Sequence, residues 1–343
     1  MFDYENLVSI VIPSRTFDFL LEKCVYEIRC LYPNVEIILV LDKIDIPLSI
    51  NLYKVTILKS TSLYISAKRN QGVHQIKTKY VAFIDSDAYP KRYWLENAID
   101  YLERNPKYSV VEGSWLSFPQ ESFLTRCLRI VRFAPLFINK ELRVLIEKNS
   151  IDKDITLFAS ASLIFRVKDY LSSGEMNEKI YINEDCEFAY RLNKKGYKMR
   201  FVKNSSVYHR ESTFYCFFAK VFCNGFYKTN MFFQEIFNQQ CEKYFSLTGF
   251  KYFIPLITIF IYSILIFVLK FNLLVLIGFP LFGLLILFIQ SLFLTSLLSS
   301  NKVKGFFVIL LLSIVFCVTF IISTFLWTFN IKLKDLQLIY KHY

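Results

Sequence analysis

The sequence predicts an α/β domain on a parallel, doubly wound sheet, followed by an all-α membrane region. Three observations predict it. Short apolar, β-branched runs, such as LVSIVI (7–12), VEIILVL (35–41) and YVAFI (80–84), alternate with amphipathic helical stretches through the first 210 residues. These runs end in polar residues, Ser14 and Arg15, then Asp42, then Asp85 and Asp87, and open α/β sheets bind ligands beyond the carboxyl ends of their strands. Residues 253–329 contain only three charged side chains, Lys270, Lys302 and Lys304.

LVSIVI is too short for a helix and stops at Pro13-Ser14-Arg15, so it reads as a buried first strand. Phe17, Leu20, Leu21, Cys24, Val25, Ile28 and Leu31 recur at helical spacing. Pro33-Asn34 breaks that helix before the second strand, and residues 54–58 give a shorter third. SAKRNQGVHQIK (66–77) reads as a helix capped by Ser66. A helix over 92–104 and a strand over 108–116 follow YVAFIDSD. Residues 121–148 repeat Arg126, Arg129 and Arg132 among apolar residues, which fits a basic amphipathic segment on a membrane and a helix with a solvated Arg face equally well. ITLFASASLIFRV (155–167) is apolar with small residues at its centre, and SSGEMNEK (172–179) is a turn. A helix begins near Glu184-Asp185 and stops at Gly196, and the last strand, 199–209, ends in His209.

The aromatic, lysine-dotted stretch 212–251 fits helices lying at a membrane interface. Three apolar segments, 252–269, 271–300 and 305–329, are each long enough to span a bilayer core of roughly 30 Å. The expected organisation is therefore a catalytic domain over 1–211, interface helices over 212–251, about three spans over 252–330 and a tail over 331–343. Of the net charge of +12, the tail carries +2 and the apolar block +3, which leaves +7 on the first 252 residues. That balance suits anionic headgroups or a phosphorylated substrate. Nucleic acid is a poor partner for so much membrane. The eight cysteines show no metal-ligand spacing, and MFDYENLVSIVIP has neither a basic leader nor a long apolar core. The expectation is an integral membrane protein with reduced thiols and a cytoplasmic catalytic domain.

The chemistry centres on Asp85 and Asp87. In a strand their side chains point the same way, and two carboxylates at one strand end repel unless a cation joins them. Oxygen ligation suits Mg2+ or Mn2+ shared with substrate phosphates. His209, at another strand end, is a candidate third ligand.

VSIVIPSRT, EIILVLDKID, SAKRNQGV, YVAFIDSDAYP, the block from FASASLIF to INEDCEFAYRLNKKGYK, and VYH stand in one order over residues 7–210. That series resembles the family-two inverting glycosyltransferases of GT-A fold, which implies a Rossmann-like, mixed, mostly parallel sheet. The resemblance implies that Asp87, His209 and Asp85 hold Mg2+ or Mn2+ on a sugar-nucleotide diphosphate. It places Pro13, Ser14, Arg15, Asp42, Arg69, Asn70 and Asp85 on the donor. It makes Asp185 the general base, with Glu184 beside it in the catalytic pair. Leu41-Asp42-Lys43-Ile44 and Gly174-Glu175-Met176-Asn177-Glu178 depart from the family's usual Asp-Asp-Gly-Ser and Gly-Gly-Phe-Asp-Glu, which leaves donor base and acceptor class open. No Gln-x-x-Arg-Trp follows the Glu-Asp pair, so transfer of a single sugar is expected rather than polymer extrusion.

The expected function is thus a membrane-anchored glycosyltransferase acting on a nucleotide-sugar donor and a lipid-linked glycan acceptor in surface polysaccharide or glycoconjugate synthesis. A polyprenyl-phosphate monoglycosyltransferase is the enzymatic alternative; its phosphate nucleophile needs no base. A channel or transporter with a regulatory domain is the non-enzymatic one, and the spans lack the buried ionisable residues that transport pathways use.

Overall fold

The structure, a computed structural model, describes residues 4–45, 53–116, 118, 122–133, 152–180, 184–210, 214, 217, 285, 288, 289, 291, 292, 295 and 301–328. The chain divides into two compact units, one of residues 1–120 and 140–210, the other of 121–139 and 211–343.

Among the described residues the first unit is organised on nine strands: β1 (Val8–Ser14), β2 (Glu36–Leu41), β3 (Thr56–Lys59), β4 (Tyr80–Ile84), β5 (Ala88–Pro90), β6 (Tyr108–Leu116), β7 (Lys153–Ile155), β8 (Ser162–Arg166) and β9 (Lys198–His209). Their order is β3-β2-β1-β4-β8-β6-β9-β5, with β7 also on β9. β3, β2, β1 and β4 run parallel, as the alternating pattern predicts. β8 then enters antiparallel between β4 and β6, and β5 and β7 lie antiparallel to β9. Six strands thus share one direction and three oppose it. The sheet is mixed and mostly parallel rather than uniformly parallel.

The helices of this unit are α1 (Tyr4–Leu7), α2 (Phe19–Leu31), α3 (Ile65–Val73), α4 (Trp94–Arg104), α6 (Val167–Ser172) and α7 (Glu184–Lys194). α2 is capped by the Asp18 carboxylate, which accepts from Leu21 N at 2.9 Å, and turns Leu21, Cys24, Val25 and Ile28 inward. β1, β2 and β4 are buried over nearly their whole length, as strands covered on both faces must be. Each such Val, Leu, Ile or Phe contributes about 1.5–3 kcal/mol. Ser66 is not the cap of α3. The N-cap is Tyr64, and Ser66 lies buried inside the helix. The apolar stretch 155–167 holds the end of β7, loop 156–161, β8 and the first residue of α6.

In the second unit, α5 (Phe123–Phe133) and α8 (Lys302–Thr328) share a cluster of Cys127, Leu128, Ile130, Val131, Phe217, Ile309 and Leu312. The expected spans 252–269 and most of 271–300 lie outside the described residues, as do the stretch 134–148 and the tail. Among the described residues no helix is long and apolar enough to cross a membrane. α8 has 27 residues.

Candidate active site

YVAFIDSD splits into a strand and a turn. β4 ends at Ile84, and Ala88 N donates to Asp85 O at 3.0 Å, closing a turn over residues 85–88. Asp85 and Asp87 therefore converge through a turn rather than through strand alternation. β5 then folds back on β9 with Ala88 opposite His209, and Arg210 N donates to Asp87 O at 3.1 Å. That register brings the three residues together. His209 Nε2 lies 3.6 Å from Asp85 Oδ2 and 3.6 Å from Asp87 Oδ1, and one ligand atom from each falls within 4.8 Å of the others. Two carboxylate oxygens and an imidazole nitrogen fit Mg2+ or Mn2+ with positions left for phosphate oxygens or water. Trp115 stacks on the His209 ring at 5.2 Å and 17°, fixing its plane.

Arg69, from α3, is fully buried. Its Nη2 donates to Asp85 Oδ1 at 3.0 Å and to Ser160 Oγ at 2.8 Å, and its Nη1 donates to Glu184 Oε1 at 2.9 Å. Its guanidinium turns onto Asp85, Ser160 and Glu184, whereas the family resemblance implies a contact with the donor. Burial pushes the Asp85 carboxyl up, but the neighbouring His209 and the charge of Arg69 outweigh it and hold Asp85 down at about 2. Glu184 opens α7 and turns inward onto Arg69. Burial first, and then the charge of Asp185, push its carboxyl up. Asp185 is the more exposed of the pair. Its Oδ1 accepts from Cys186 N at 2.8 Å and its Oδ2 from Ser160 N at 3.2 Å, while burial raises its pKa against the pull of Arg69.

Nearer the N-terminus, Pro13 is buried opposite Val40, and Ser14 pairs with Leu41. The Ser14 hydroxyl donates to Thr16 O at 3.0 Å, and Arg15 O accepts from Asp42 N and Lys43 N. Lys68 ties these strand ends together. It lies 2.7 Å from Asp42 Oδ1 and donates to Ser14 O at 2.8 Å. Asn70 sits elsewhere. It is buried, its Nδ2 donates to Met176 O and Glu178 Oε1, each at 2.9 Å, and its Oδ1 accepts from Tyr170. Its amide holds the 174–178 loop, in which Gly174 and Glu175 both take positive φ. Arg191 Nη2 grips the other side of that loop, donating to Glu175 O at 2.6 Å.

The sequence reading missed Lys68, Trp115, Ser160 and Glu112, the last buried and accepting from Ala159 N at 2.7 Å. Only Lys68 carried a signal, its place beside Arg69 in SAKRNQGV.

A mixed α/β sheet with an Asp-Asp-His cluster and a Glu-Asp helix start at its edge defines a fold of the GT-A type. The model of the family described as Glycosyl transferase family 2 matches residues 9–170, a little under half of the chain. Among curated proteins it is similar to the pre-mycofactocin glycosyltransferase of Mycobacterium tuberculosis, 24% identical over 148 residues, which is 43% of this chain and 30% of that protein. It is also similar to the chondroitin synthase of Escherichia coli, 23% identical over 176 residues, 45% of this chain and 26% of that one. The chain thus spans about a third or less of the curated relatives it matches. Among solved structures, the mannosyltransferase of Pyrobaculum calidifontis, in complex with GDP-Man and Mn2+, has a TM-score of 0.54 at 13% identity, covering 96% of this chain and 88% of that one. This likeness is one of fold.

Proposed function

We propose that the chain is a metal-dependent, inverting glycosyltransferase that moves one sugar from a nucleotide-sugar donor to the hydroxyl of a lipid-linked glycan at a membrane. The observation that carries the reading is the pairing of two carboxylate groups with different surroundings. Asp85 and Asp87 face His209, while Glu184 and Asp185 stand at the start of α7. Mg2+ or Mn2+, when bound at Asp85, Asp87 and His209, neutralises charge on the leaving nucleoside diphosphate. Asp185 takes the proton of the acceptor hydroxyl as its oxygen bonds to the anomeric carbon and the bond from that carbon to the diphosphate breaks. Lys68, Asp42 and Ser14 shape the nucleotide end. A base held by two backbone N–H groups favours a hydroxyl acceptor over an already ionised phosphate. The GDP-Man and Mn2+ bound by the Pyrobaculum mannosyltransferase agree with this reading.

The membrane part of the proposal has support in the second unit. Val303, Phe307, Leu311, Val318 and Ile322 of α8 are exposed, as are Leu285, Phe288, Ile289 and Leu292, while Ser291, Thr295 and Ser313 are buried. An exposed face made of large apolar side chains, with small polar residues such as Ser313 turned inward beside Ile309 and Leu312, suits hydrocarbon more than water. We place the first unit on the cytoplasmic side, where nucleotide sugars are available.

The test is nucleoside diphosphate release from a panel of sugar nucleotides, with and without membrane lipid extract, in wild type and Asp87→Ala. Mn2+-dependent release stimulated by lipid and lost in Asp87→Ala is expected. Metal-dependent turnover that survives Asp87→Ala would overturn the metal site, and no release from any donor would overturn the activity.

A further inference from the structure

We propose that Arg69 is a positioning residue that joins the metal-facing carboxylate Asp85 to the base Asp185 and sets their separation while touching neither substrate. The inference deepens the glycosyltransferase reading and rests on it.

Three segments distant in sequence meet at this one guanidinium: the turn after β4, loop 156–161 and the start of α7. Nη2 carries two hydrogens and serves both Asp85 Oδ1 and Ser160 Oγ, and Nη1 serves Glu184. Asp185 is then held from both sides by groups that Arg69 anchors. Its chain neighbour Glu184 is one, and Ser160, whose N–H donates to Asp185 Oδ2 at 3.2 Å, is the other. On the donor side, Arg69 occupies Asp85 Oδ1 and leaves Oδ2 facing His209 at 3.6 Å. It thereby selects the single oxygen that Asp85 offers a cation.

The anchor is itself immobile. The Arg69 side chain is fully buried, and its guanidinium carbon lies 5.9 Å from the centre of the Phe83 ring. α3 rests so closely on β1 that a Cβ at Gly72 would lie 2.4 Å from Val11 Cγ1. A planar fork with fixed donors can hold three partners at once, and a lysine ammonium, with one nitrogen, cannot match that geometry. A displacement of about 1 Å between reacting groups costs roughly 100-fold in rate, so a rigid strut between donor and acceptor sides has a direct kinetic use.

The experiment compares Arg69→Lys, Glu184→Gln and the double variant in the full chain. It reads Mn2+ binding by the electron paramagnetic resonance signal of free Mn2+ in the presence of UDP or GDP. Turnover is nucleoside diphosphate release, and thermal unfolding reports the fold. Arg69→Lys is expected to weaken Mn2+ binding several-fold and to lower kcat by about tenfold or more, with donor KM within about twofold. Glu184→Gln should lower kcat comparably and leave Mn2+ binding unchanged. The double variant should be no slower than Arg69→Lys, because both changes cut one strut. Multiplying effects, or an unchanged kcat in Glu184→Gln, would overturn the proposal. A merely structural Arg69 would lower the unfolding temperature and the active fraction while leaving Mn2+ affinity per folded molecule unchanged. If Arg69→Lys does not fold, the isosteric Glu184→Gln still decides. If the wild type releases no nucleoside diphosphate, the parent reading fails. Mn2+ binding unchanged in a folded Arg69→Lys then overturns the Asp85 arm separately.

Discussion

Lys68 Nζ lies 2.7 Å from the Asp42 carboxylate, with the lysine side chain 3% exposed and the aspartate 14%. The same ammonium donates to Ser14 O at 2.8 Å. One buried cation therefore fixes the ends of β1 and β2, the two strands that border the proposed nucleotide end of the site. Lys68→Met removes the charge, keeps the volume and leaves Asp42 buried without its counter-ion. Breaking such a pair by deleting one partner costs about 3 kcal/mol. We expect a lower urea midpoint and a raised donor KM with kcat nearly unchanged. A variant with wild-type stability and donor KM would show that the pair serves neither purpose.

Metal binding should follow the ligands and then the ring that backs one of them. Asp87→Ala and His209→Ala each delete a donor from a three-residue cluster, and Mn2+ binding should become undetectable at micromolar protein. Trp115→Leu leaves all three ligands in place but removes the plane stacked on His209. Loss of such an outer partner typically weakens metal affinity about 10- to 100-fold. Titration calorimetry with Mn2+ and nucleoside diphosphate would show the order. Equal affinity in Trp115→Leu and wild type would mean that the ring is fixed by β9 alone.

The two carboxylate groups should give pH effects of opposite sign. Asp85 is held below its ordinary value, so it contributes stability above the usual carboxylate range and loses it as pH falls toward about 2. Glu184 is pushed up to about 7 by burial and by Asp185. Its protonated form is favoured in the fold. The stability it contributes is full below its unfolded value and lost as pH rises through about 7. Melting temperatures between pH 5 and 8 should therefore fall with pH more steeply in wild type than in Glu184→Gln, so the difference between them narrows or reverses toward pH 8. Parallel curves would place the titration elsewhere.

What could be read from the sequence was whatever repeats locally. The apolar runs of β1, β2 and β4 and the spacing of α2 fixed the parallel half of the sheet, because burial on two faces leaves few polar residues to mislead. Asp85, Asp87 and His209 were visible as strand-end residues, and their convergence needed only that the ends share one edge. The antiparallel entry of β8 was not legible, since Ser162–Arg166 has the same composition whichever way it runs. Buried charges were the second blind spot. Lys68, Arg69 and Glu112 look in sequence like surface residues, and only contacts with Asp42, Glu184 and Ala159 N, each from another segment, explain their burial. The contacts that Arg69 makes within the protein were not legible for this reason. Residue type set its chemistry, but which way the side chain turned was decided by α7, more than a hundred positions away.

Two glycines separate a backbone requirement from a packing one. A Cβ on Gly113 would lie 1.8 Å from Ser205 O and 2.4 Å from Ser162 Oγ, whereas on Gly72 it would meet only the side chain of Val11, the nearest atom at 2.4 Å. The obstacle at Gly113 is the main chain of β9, at the point where the β6–β9 register shifts between Gly113 and Ser114. Relief requires the strands to part, and the residues immediately beyond are Trp115 on one strand and Val207 to His209 on the other. Gly113→Ala should therefore cost more than about 2 kcal/mol, toward the upper end for overpacking, and should also weaken Mn2+ binding by moving His209. Gly72→Ala presses on the Val11 side chain of β1 rather than on main chain, and should cost less than Gly113→Ala and leave β9 and His209 in place. Chemical denaturation and Mn2+ titration of the two variants check both halves. A Gly113→Ala variant that is destabilised yet binds Mn2+ normally would mean that β5 and Asp87, rather than β6, hold His209 in place.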